Sequence, residues 1–174
     1  MSAPYDAVVG VWDGHDAGAA LVIGGRVTLA LNEERLSGRK LDVGLPVRAI
    51  AALREASAGL RTAWAPTTSD PAKTFTRLLP AAKERYYRQR RRLEPPGLLH
   101  GVTQRAKYAL TQLPTNAALR GWARRHFARV LGAPASDIFL VDHHEAHAAS
   151  AAVWPRWEGD AVVVTLDGIG DGES

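Results

Sequence analysis

Three short segments of the sequence combine histidine, carboxylate and glycine in patterns that could do chemistry. The first is Asp13-Gly14-His15-Asp16, which lies between two apolar runs. Glycine lets a ligand approach the backbone closely, histidine can carry protons near neutral pH, and carboxylates can orient a substrate or a metal. The same four residues would also make an ordinary solvated turn, and the segment alone does not separate these interpretations.

The second segment, residues 142–147, reads DHHEAH. On a helix, His143 and His147 are four positions apart and share one face, so both imidazoles can reach one metal ion. Two imidazoles with a carboxylate suit a divalent iron, zinc or manganese centre that keeps positions open for substrate oxygens. The alternative is a histidine-rich helix start at which Asp142 only caps the amino terminus.

The third segment, residues 165–172, reads TLDGIGDG. The apolar run from Ala161 to Leu166 predicts a buried strand that delivers Asp167 to a glycine-rich turn. The amides of that turn could cradle a phosphate group, and Asp167 could complete a metal site with the two histidines. An ordinary Asp-Gly hairpin turn is the competing interpretation.

Two further stretches are charged. Residues 33–40, EERLSGRK, are best interpreted as a solvated charged edge rather than a catalytic segment. The arginine-rich stretch from about Thr62 to Arg129 could bind RNA phosphates, and the chain carries a net charge of +4. It contains no motif of an RNA-binding module, so we favour the wet faces of amphipathic helices, or a surface that meets another part of the protein. Nucleic acid is not a predicted partner.

The elements that position these segments follow from apolar patterning. Residues 6–12, 19–23 and 26–31 predict a β-meander whose first strand is covered on both faces and whose hairpin turn is Gly24-Gly25. A helix follows Pro46 and stops near Gly59. A strand at 138–141 and a helix at 143–153 come next, and the strand ending at Leu166 repeats the opening design.

These elements predict an α/β fold in which the start of a second, repeated strand-turn unit follows the first. We divide the chain into the meander and helix at 1–60, a basic helical insertion at 61–130, and the histidine helix with the start of the second repeat at 131–174. Six prolines punctuate the middle segment, which is why it is predicted as an insertion rather than core.

The composition of the 174 residues, 46% hydrophobic and 23% charged, is that of a folded globular chain. The absence of cysteine excludes disulfides, thiolate zinc sites and a cysteine nucleophile. No apolar run approaches the length of about 18 residues that predicts a membrane span, and no signal peptide pattern opens the chain. We expect a cytoplasmic protein without a membrane partner.

Four blocks, in this order and spacing, resemble the O-carbamoyltransferase family of nodulation and antibiotic biosynthesis. They are WDGHDAGAAL in the opening, NEERLSGRK with GLP behind it, HHEAHAASA, and LDGIGDG. The resemblance covers Asp6 to about Ala56 and Ile138 to Ser174. It implies the first half of an actin-like ATPase (ribonuclease H-like) fold, a mixed sheet with flanking helices, here with an inserted Arg-rich helical segment.

The resemblance also implies a reaction. ATP and carbamoyl phosphate would give carbamoyl-adenylate, whose carbamoyl group passes to a hydroxyl of a sugar or natural product. His15 would be the general base and Asp13 would orient it or the substrate. His143, His147 and Asp167 would hold Fe²⁺ or another divalent metal.

The nucleotide-contacting residues implied by the same blocks are Asp16, Gly168, Gly170 and Asp171. Full members of the family are several hundred residues long, so the resemblance implies that a carboxy-terminal portion would be this chain's partner and that the chain alone is inactive. The alternatives are a threonylcarbamoyl-tRNA-type modifying protein, which shares the histidine pair, and a non-catalytic basic module that binds RNA or an acidic partner.

Overall fold

The structure, a computed structural model, describes residues 4–67, 77–90, 101–102, 105–106, 109, 117–153, 160 and 162–165. It has an α/β fold in which a four-stranded mixed sheet is flanked by helices. The strands are β1 (Ala7–Trp12), β2 (Gly18–Ile23), β3 (Arg26–Asn32) and β4 (Thr62–Pro66), in the spatial order β3-β2-β1-β4. The predicted meander is therefore confirmed, with boundaries within one residue of those expected.

The first strand has one fully buried face. Alternate residues Ala7, Val9 and Val11 are buried, whereas Val8 is 38% exposed. The prediction that β1 is covered on both faces was therefore wrong at Val8, where the second face of the strand is exposed. β2 turns back on β1 through the Gly24-Gly25 hairpin, where both glycines have positive φ, and pairs with it in antiparallel register.

The fourth strand was not predicted, because it lies at the start of the stretch interpreted as an insertion. β4 runs parallel to β1, with Ala7 opposite Thr62 and Val11 opposite Pro66. Ala63 and Trp64 are buried, so this strand belongs to the core. The division of the chain into residues 1–60, 61–130 and 131–174 stays a prediction.

A short extended segment continues the sheet beyond β4. Trp64 forms a parallel bridge with Ile138, and Thr67 forms another with Val141. The amide of Phe139 donates to the Trp64 carbonyl at 2.8 Å. The strand predicted at 138–141 therefore exists as a parallel bridged segment beside β4.

Five helices are described: α1 (Glu33–Ser37), α2 (Val47–Ala56), α3 (Pro80–Arg90), α4 (Ala117–Leu131) and α5 (His143–Val153). A 3₁₀ turn at Ala135–Asp137 leads into the bridged segment. The predicted helix after Pro46 is confirmed as α2, and α5 begins and ends where the sequence predicted. Among the described residues, no helix is both long enough and apolar enough to cross a membrane.

The first charged block is not simply a solvated edge. Glu33 is buried, and its carboxylate accepts hydrogen bonds from the amides of Arg48 at 3.0 Å and Ala49 at 2.9 Å. Helix α2 starts after Pro46 with no side-chain cap of its own, so Glu33 caps it from a different segment. The predicted solvated edge holds for Arg39 and Lys40, which are exposed.

Parts of the basic stretch also join the core, which corrects its description as an insertion outside the core. Phe127 and Leu131 of α4 pack in the same buried cluster as Val9, Leu21 and Ile138. The apolar residues of α4 recur at helical spacing, whereas its arginines occupy the wet face. The prolines of the basic stretch made this helical pattern hard to recognise in the sequence.

The predicted buried strand at Ala161–Leu166 was wrong for its described residues. Residues 162–165 are not in a strand, and Val162 and Val164 are 91% and 72% exposed. A run of valines favours β structure, but this propensity is weak without a neighbouring strand to pair with.

Candidate functional site

The candidate site lies where three parallel segments end at one edge of the sheet. Asp13 follows β1, Thr67 follows β4, and Asp142 follows the bridged segment 138–141. Ligands of open α/β sheets bind in the crevice outside the carboxyl ends of parallel strands. The hydroxyl of Thr67 is buried there and has no hydrogen-bond partner among the described residues.

Asp13 forms a buried ion pair with Arg77, a residue of the basic stretch. The guanidinium Nε lies 2.7 Å from one carboxylate oxygen and Nη2 lies 3.1 Å from the other. The two side chains are only 4% and 2% exposed. Arg77 also donates to the Thr67 carbonyl at 3.2 Å and stacks 4.6 Å over the Phe127 ring. The pair therefore ties the end of β1 to the end of β4 and to the core.

A second cation reaches the same position. Lys83 of α3 is 4% exposed, and its ammonium group donates to the backbone carbonyl of Asp13. Burial of a lysine is costly unless its charge is paired or hydrogen-bonded. Helix α3 thus fixes the carbonyl of Asp13, while Arg77 fixes the carboxylate.

His15 lies at the tip of the turn, half-exposed, and contacts three neighbours. Its Nδ1 is 3.0 Å from the Asp16 carboxylate. Its ring packs edge-on against Trp12 at 5.9 Å and against Tyr87 of α3 at 5.7 Å, between ring centroids. Asp16 adopts a left-handed conformation with φ of 53°, which aspartate tolerates better than most residues. The carboxylate that contacts the His15 imidazole is therefore that of Asp16, whereas the carboxylate of Asp13 pairs with Arg77.

Trp12 connects the first chemical segment to the second. Its ring lies 5.9 Å from the ring of His15 and 5.9 Å from the ring of His143. Its indole nitrogen donates to the His15 carbonyl at 2.6 Å. A methyl group at position 14 would overlap the indole, so the glycine there is required by this packing. Segments that are far apart in the sequence thus meet on one tryptophan.

The histidine pair of α5 is in contact as the helical spacing predicts. The rings of His143 and His147 lie 4.6 Å apart between centroids and are nearly perpendicular. His143 is half-buried and His147 is exposed. Two imidazole nitrogens are donors of the type that divalent transition metals prefer, so this pair fits part of the predicted metal site.

The remaining predicted ligands lie outside the described residues: Asp167, Gly168, Gly170 and Asp171. Within the part of the chain that the structure does describe, no three histidine, aspartate or glutamate side chains are grouped so that they could hold a metal ion. Thr165, two positions before Asp167, has its hydroxyl 3.3 Å from Nδ1 of His144. The last described residue before Asp167 therefore contacts the histidine helix.

A cavity of about 260 Å³ is lined by two residues that contact His15, Val43 and Tyr87, although His15 itself does not line it. One wall is the loop 39–43, and the other is α3 through Glu84, Tyr87 and Arg88. The loop is paired with the His15 turn: Val43 bridges His15, and the amide of Gly44 donates to the Gly14 carbonyl at 3.1 Å. Since the Tyr87 ring packs on His15, both walls reach the histidine.

The buried cations also act on a histidine of α4. Burial lowers the pKa of His126, and the positive charge of Arg77 lowers it further. His126 is stacked on Trp122 with ring centroids 5.1 Å apart. The neutral imidazole is therefore favoured, as expected beside a guanidinium.

Sequence reasoning missed Arg77, Lys83, Tyr87 and the role of Trp12. The first three lie in the basic stretch, where no local pattern in the sequence distinguishes them. A signal did exist for Trp12, since a bulky aromatic two residues before a glycine can pack over it.

No protein-family model matches the chain. A curated relative is the uncharacterized protein sll1178 from Synechocystis sp. (strain ATCC 27184 / PCC 6803 / Kazusa), which is 29% identical over 162 residues. The alignment covers 90% of this chain and 24% of that protein. The chain thus spans about a quarter of the length of the relative that it matches.

Proposed function

We propose that this chain is the amino-terminal part of an ATP- and carbamoyl-phosphate-dependent O-carbamoyltransferase that modifies a hydroxyl of a sugar or natural product. The observation that carries the proposal is the contact of both His15 and His143 with Trp12. One tryptophan therefore contacts both the proposed general base and one of the proposed metal ligands, which supports a shared site. The relative is about four times longer, so the activity belongs to a larger protein.

In this proposal His15 takes the proton of the acceptor hydroxyl as that oxygen attacks the carbamoyl carbon of carbamoyl-adenylate, and the bond to AMP, the leaving group, breaks. A hydroxyl is far from ionised at neutral pH and needs a base within hydrogen-bond reach. The Asp16 carboxylate, 3.0 Å from Nδ1, favours the tautomer in which Nδ1 carries the proton and Nε2 can accept one. We therefore assign the orienting role to Asp16, while Asp13 and Arg77 fix the turn.

The metal would be held by His143, His147 and Asp167, with Fe²⁺ as the expected ion. When bound, such an ion acts as a Lewis acid that polarises an acyl oxygen and offsets phosphate charge. The residues of this chain then have two tasks: they hold the ion beside the crevice and present His15 to the acceptor.

The fold supports the actin-like part of the proposal. A meander on one side, and parallel strands reached by helical connections on the other, give the mixed sheet order β3-β2-β1-β4. The segment 138–141 adds a fifth, parallel position beside β4. In this interpretation Asp167 and the glycines that follow belong to the next unit of the fold.

The test uses a full-length protein. In it, this chain is joined to a carboxy-terminal portion that brings it to the length of the relative, about four times its own length. ATP and ¹⁴C-labelled carbamoyl phosphate are supplied with a panel of hydroxylated acceptors, and labelled product is measured. We expect product with wild type and at least about a hundredfold less with His15→Gln, as for loss of a general base. A complete lack of labelled product on every acceptor would refute the transfer proposal, and threonylcarbamoylated tRNA as product would assign the chain to the tRNA-modifying class.

Metal binding is tested separately on this chain. Elemental analysis after loading with Fe²⁺ under anaerobic conditions should give bound iron that is lost in both His143→Ala and His147→Ala. His144→Ala is the matched control, because its ring contacts Thr165. Equal iron in all four proteins would remove the histidine pair from the proposed site.

A further inference from the structure

The cavity between the loop 39–43 and α3 lies beside the proposed base but is not used by the transfer chemistry. We propose that it is the acceptor pocket, that it binds a hydroxylated small molecule carrying an anionic group, and that α3 decides which acceptor fits. This inference rests on the proposed function and names the substrate class of the same site. Its volume of about 260 Å³ suits a molecule of about one sugar ring.

The position of the cavity supports an acceptor rather than a nucleotide. Val43 in one wall is bridged to His15, and Tyr87 in the other wall packs on the His15 ring at 5.7 Å. In this proposal, a ligand held between these walls presents a hydroxyl toward the imidazole that Val43 and Tyr87 contact. His15 also contacts Trp12, which contacts His143, so the proposal assigns the Trp12 side of His15 to the donor and the Tyr87 side to the acceptor.

The charges of the lining select an anionic acceptor. Three lining side chains are cationic, those of Arg39, Lys40 and Arg88, and two are anionic, those of Asp42 and Glu84. Arg39 and Glu84 form an ion pair across the two walls, and Asp42 accepts the amide of Val43 at 2.9 Å. By formal charge the lining has three cations against two anions, which in this proposal favours a phosphate or carboxylate over an amino sugar.

Hydrogen bonds to neighbouring segments support the conformation of the loop wall. Leu41 has a φ of 59°, which residues other than glycine rarely adopt, and its amide donates to the Glu34 carboxylate at 2.9 Å. The amide of Ala17 donates to the carbonyl of Asp42 at 3.2 Å. Unfavourable backbone conformations of this kind persist where the surrounding structure fixes them, often at ligand sites.

Helix α3 contributes the selective wall. It lies in the part of the chain without recognisable resemblance to the carbamoyltransferase family, whereas the loop belongs to a resembling block. Arg88 of α3 is exposed and faces the cavity, whereas Arg85 is exposed on the same helix and does not line it. The two arginines provide a matched pair of variants.

Binding of glucose 6-phosphate, glucose, glucosamine and inorganic phosphate to this chain is measured by titration of ¹⁵N-labelled protein, without ATP, carbamoyl phosphate or metal. We expect glucose 6-phosphate to bind most tightly and to shift the amides of Val43 and His15. Arg88→Glu should weaken this binding about five- to tenfold, and Arg85→Glu should change it less than about twofold. Circular dichroism verifies that both variants fold.

The proposal would be overturned by no binding of glucose 6-phosphate, by equal binding of glucosamine, or by equal loss in the Arg85 and Arg88 variants. Inorganic phosphate binding as tightly as the sugar phosphate would do so too, since it would indicate an anion site without acceptor recognition. Because no transfer step is measured, failure of the pocket is distinguishable from failure of the carbamoyltransferase proposal.

Discussion

The buried ion pair between Asp13 and Arg77 gives the sharpest test of how the site is held. Replacing Arg77 by methionine keeps most of the side-chain volume but leaves the Asp13 carboxylate buried without its guanidinium. Removal of one partner of a buried ion pair costs about 3–5 kcal/mol. The estimate applies here because both side chains are at most 4% exposed and the pair is bidentate.

The assay is urea unfolding followed by tryptophan fluorescence, with thermal unfolding as a second measurement. We expect Arg77→Met to lower the free energy of unfolding by about 3–5 kcal/mol, or the melting temperature by roughly 10 °C. The matched control is Arg39→Met, which breaks the Arg39–Glu84 pair, whose side chains are 62% and 44% exposed. Pairs of that kind contribute about 0–1 kcal/mol.

A double-mutant cycle separates pairing from packing. In Asp13→Asn with Arg77→Met, no uncompensated carboxylate is buried, so the double variant should lose at least about 1 kcal/mol less than the two single losses combined. Additive losses, or equal losses for Arg77→Met and Arg39→Met, would refute the claim that the buried pair stabilises the fold. Such results would mean that water screens the Asp13–Arg77 pair as well as the exposed Arg39–Glu84 pair.

Two further predictions concern the supports of the site. Glu33→Ala should lower the free energy of unfolding by about 1–3 kcal/mol, because two amides at the start of α2 lose their buried acceptor. The control is Glu55→Ala, an exposed position of α2, which should change the free energy of unfolding by less than about 0.5 kcal/mol. Equal losses in the two variants would contradict the capping role of Glu33. His126 has a pKa lowered by burial and by Arg77, from an ordinary value of 6.5. Below that pH the unfolded chain takes up a proton more readily than the folded one, so His126 makes the wild type lose stability as the pH falls from about 6.5 to the folded-state pKa. Urea midpoints between pH 5 and 8 should therefore show a weaker pH dependence for His126→Gln, and an unchanged dependence would remove this linkage.

Local patterns in the sequence predicted the meander, α2 and α5 because their periodicity is regular. The Gly24-Gly25 turn follows from the positive φ angles that glycine tolerates, and the helix start at Pro46 follows from the restricted φ of proline. The contact between His143 and His147 is likewise a consequence of helical spacing alone. These features depend on residues close together in the chain, which is where pattern reasoning is strongest.

The interior of the basic stretch could not be predicted in the same way. Nothing adjacent to Arg77 or Lys83 indicates burial, since their partner Asp13 lies more than sixty residues away. β4 was missed because a five-residue apolar run with proline at its end gives little periodicity. The likeness to a known family implied roles for Asp13 and His15, but nothing in the sequence predicted the pairing of Asp13 with Arg77 or of His15 with Asp16.

These long-range contacts determine how the turn at residues 13–16 is held in place. A buried Asp13 carboxylate is tolerated only when a cation pairs with it, and one cation comes from Arg77 while Lys83 of α3 holds the adjacent carbonyl. The same helix places Tyr87 against His15 and contributes one wall of the cavity. One docked helix thus supports the contact to the Asp13 carbonyl, the orientation of the histidine and one wall of the cavity. A substitution that undocks α3 should therefore disturb all three together, whereas a substitution confined to its outer face should disturb none.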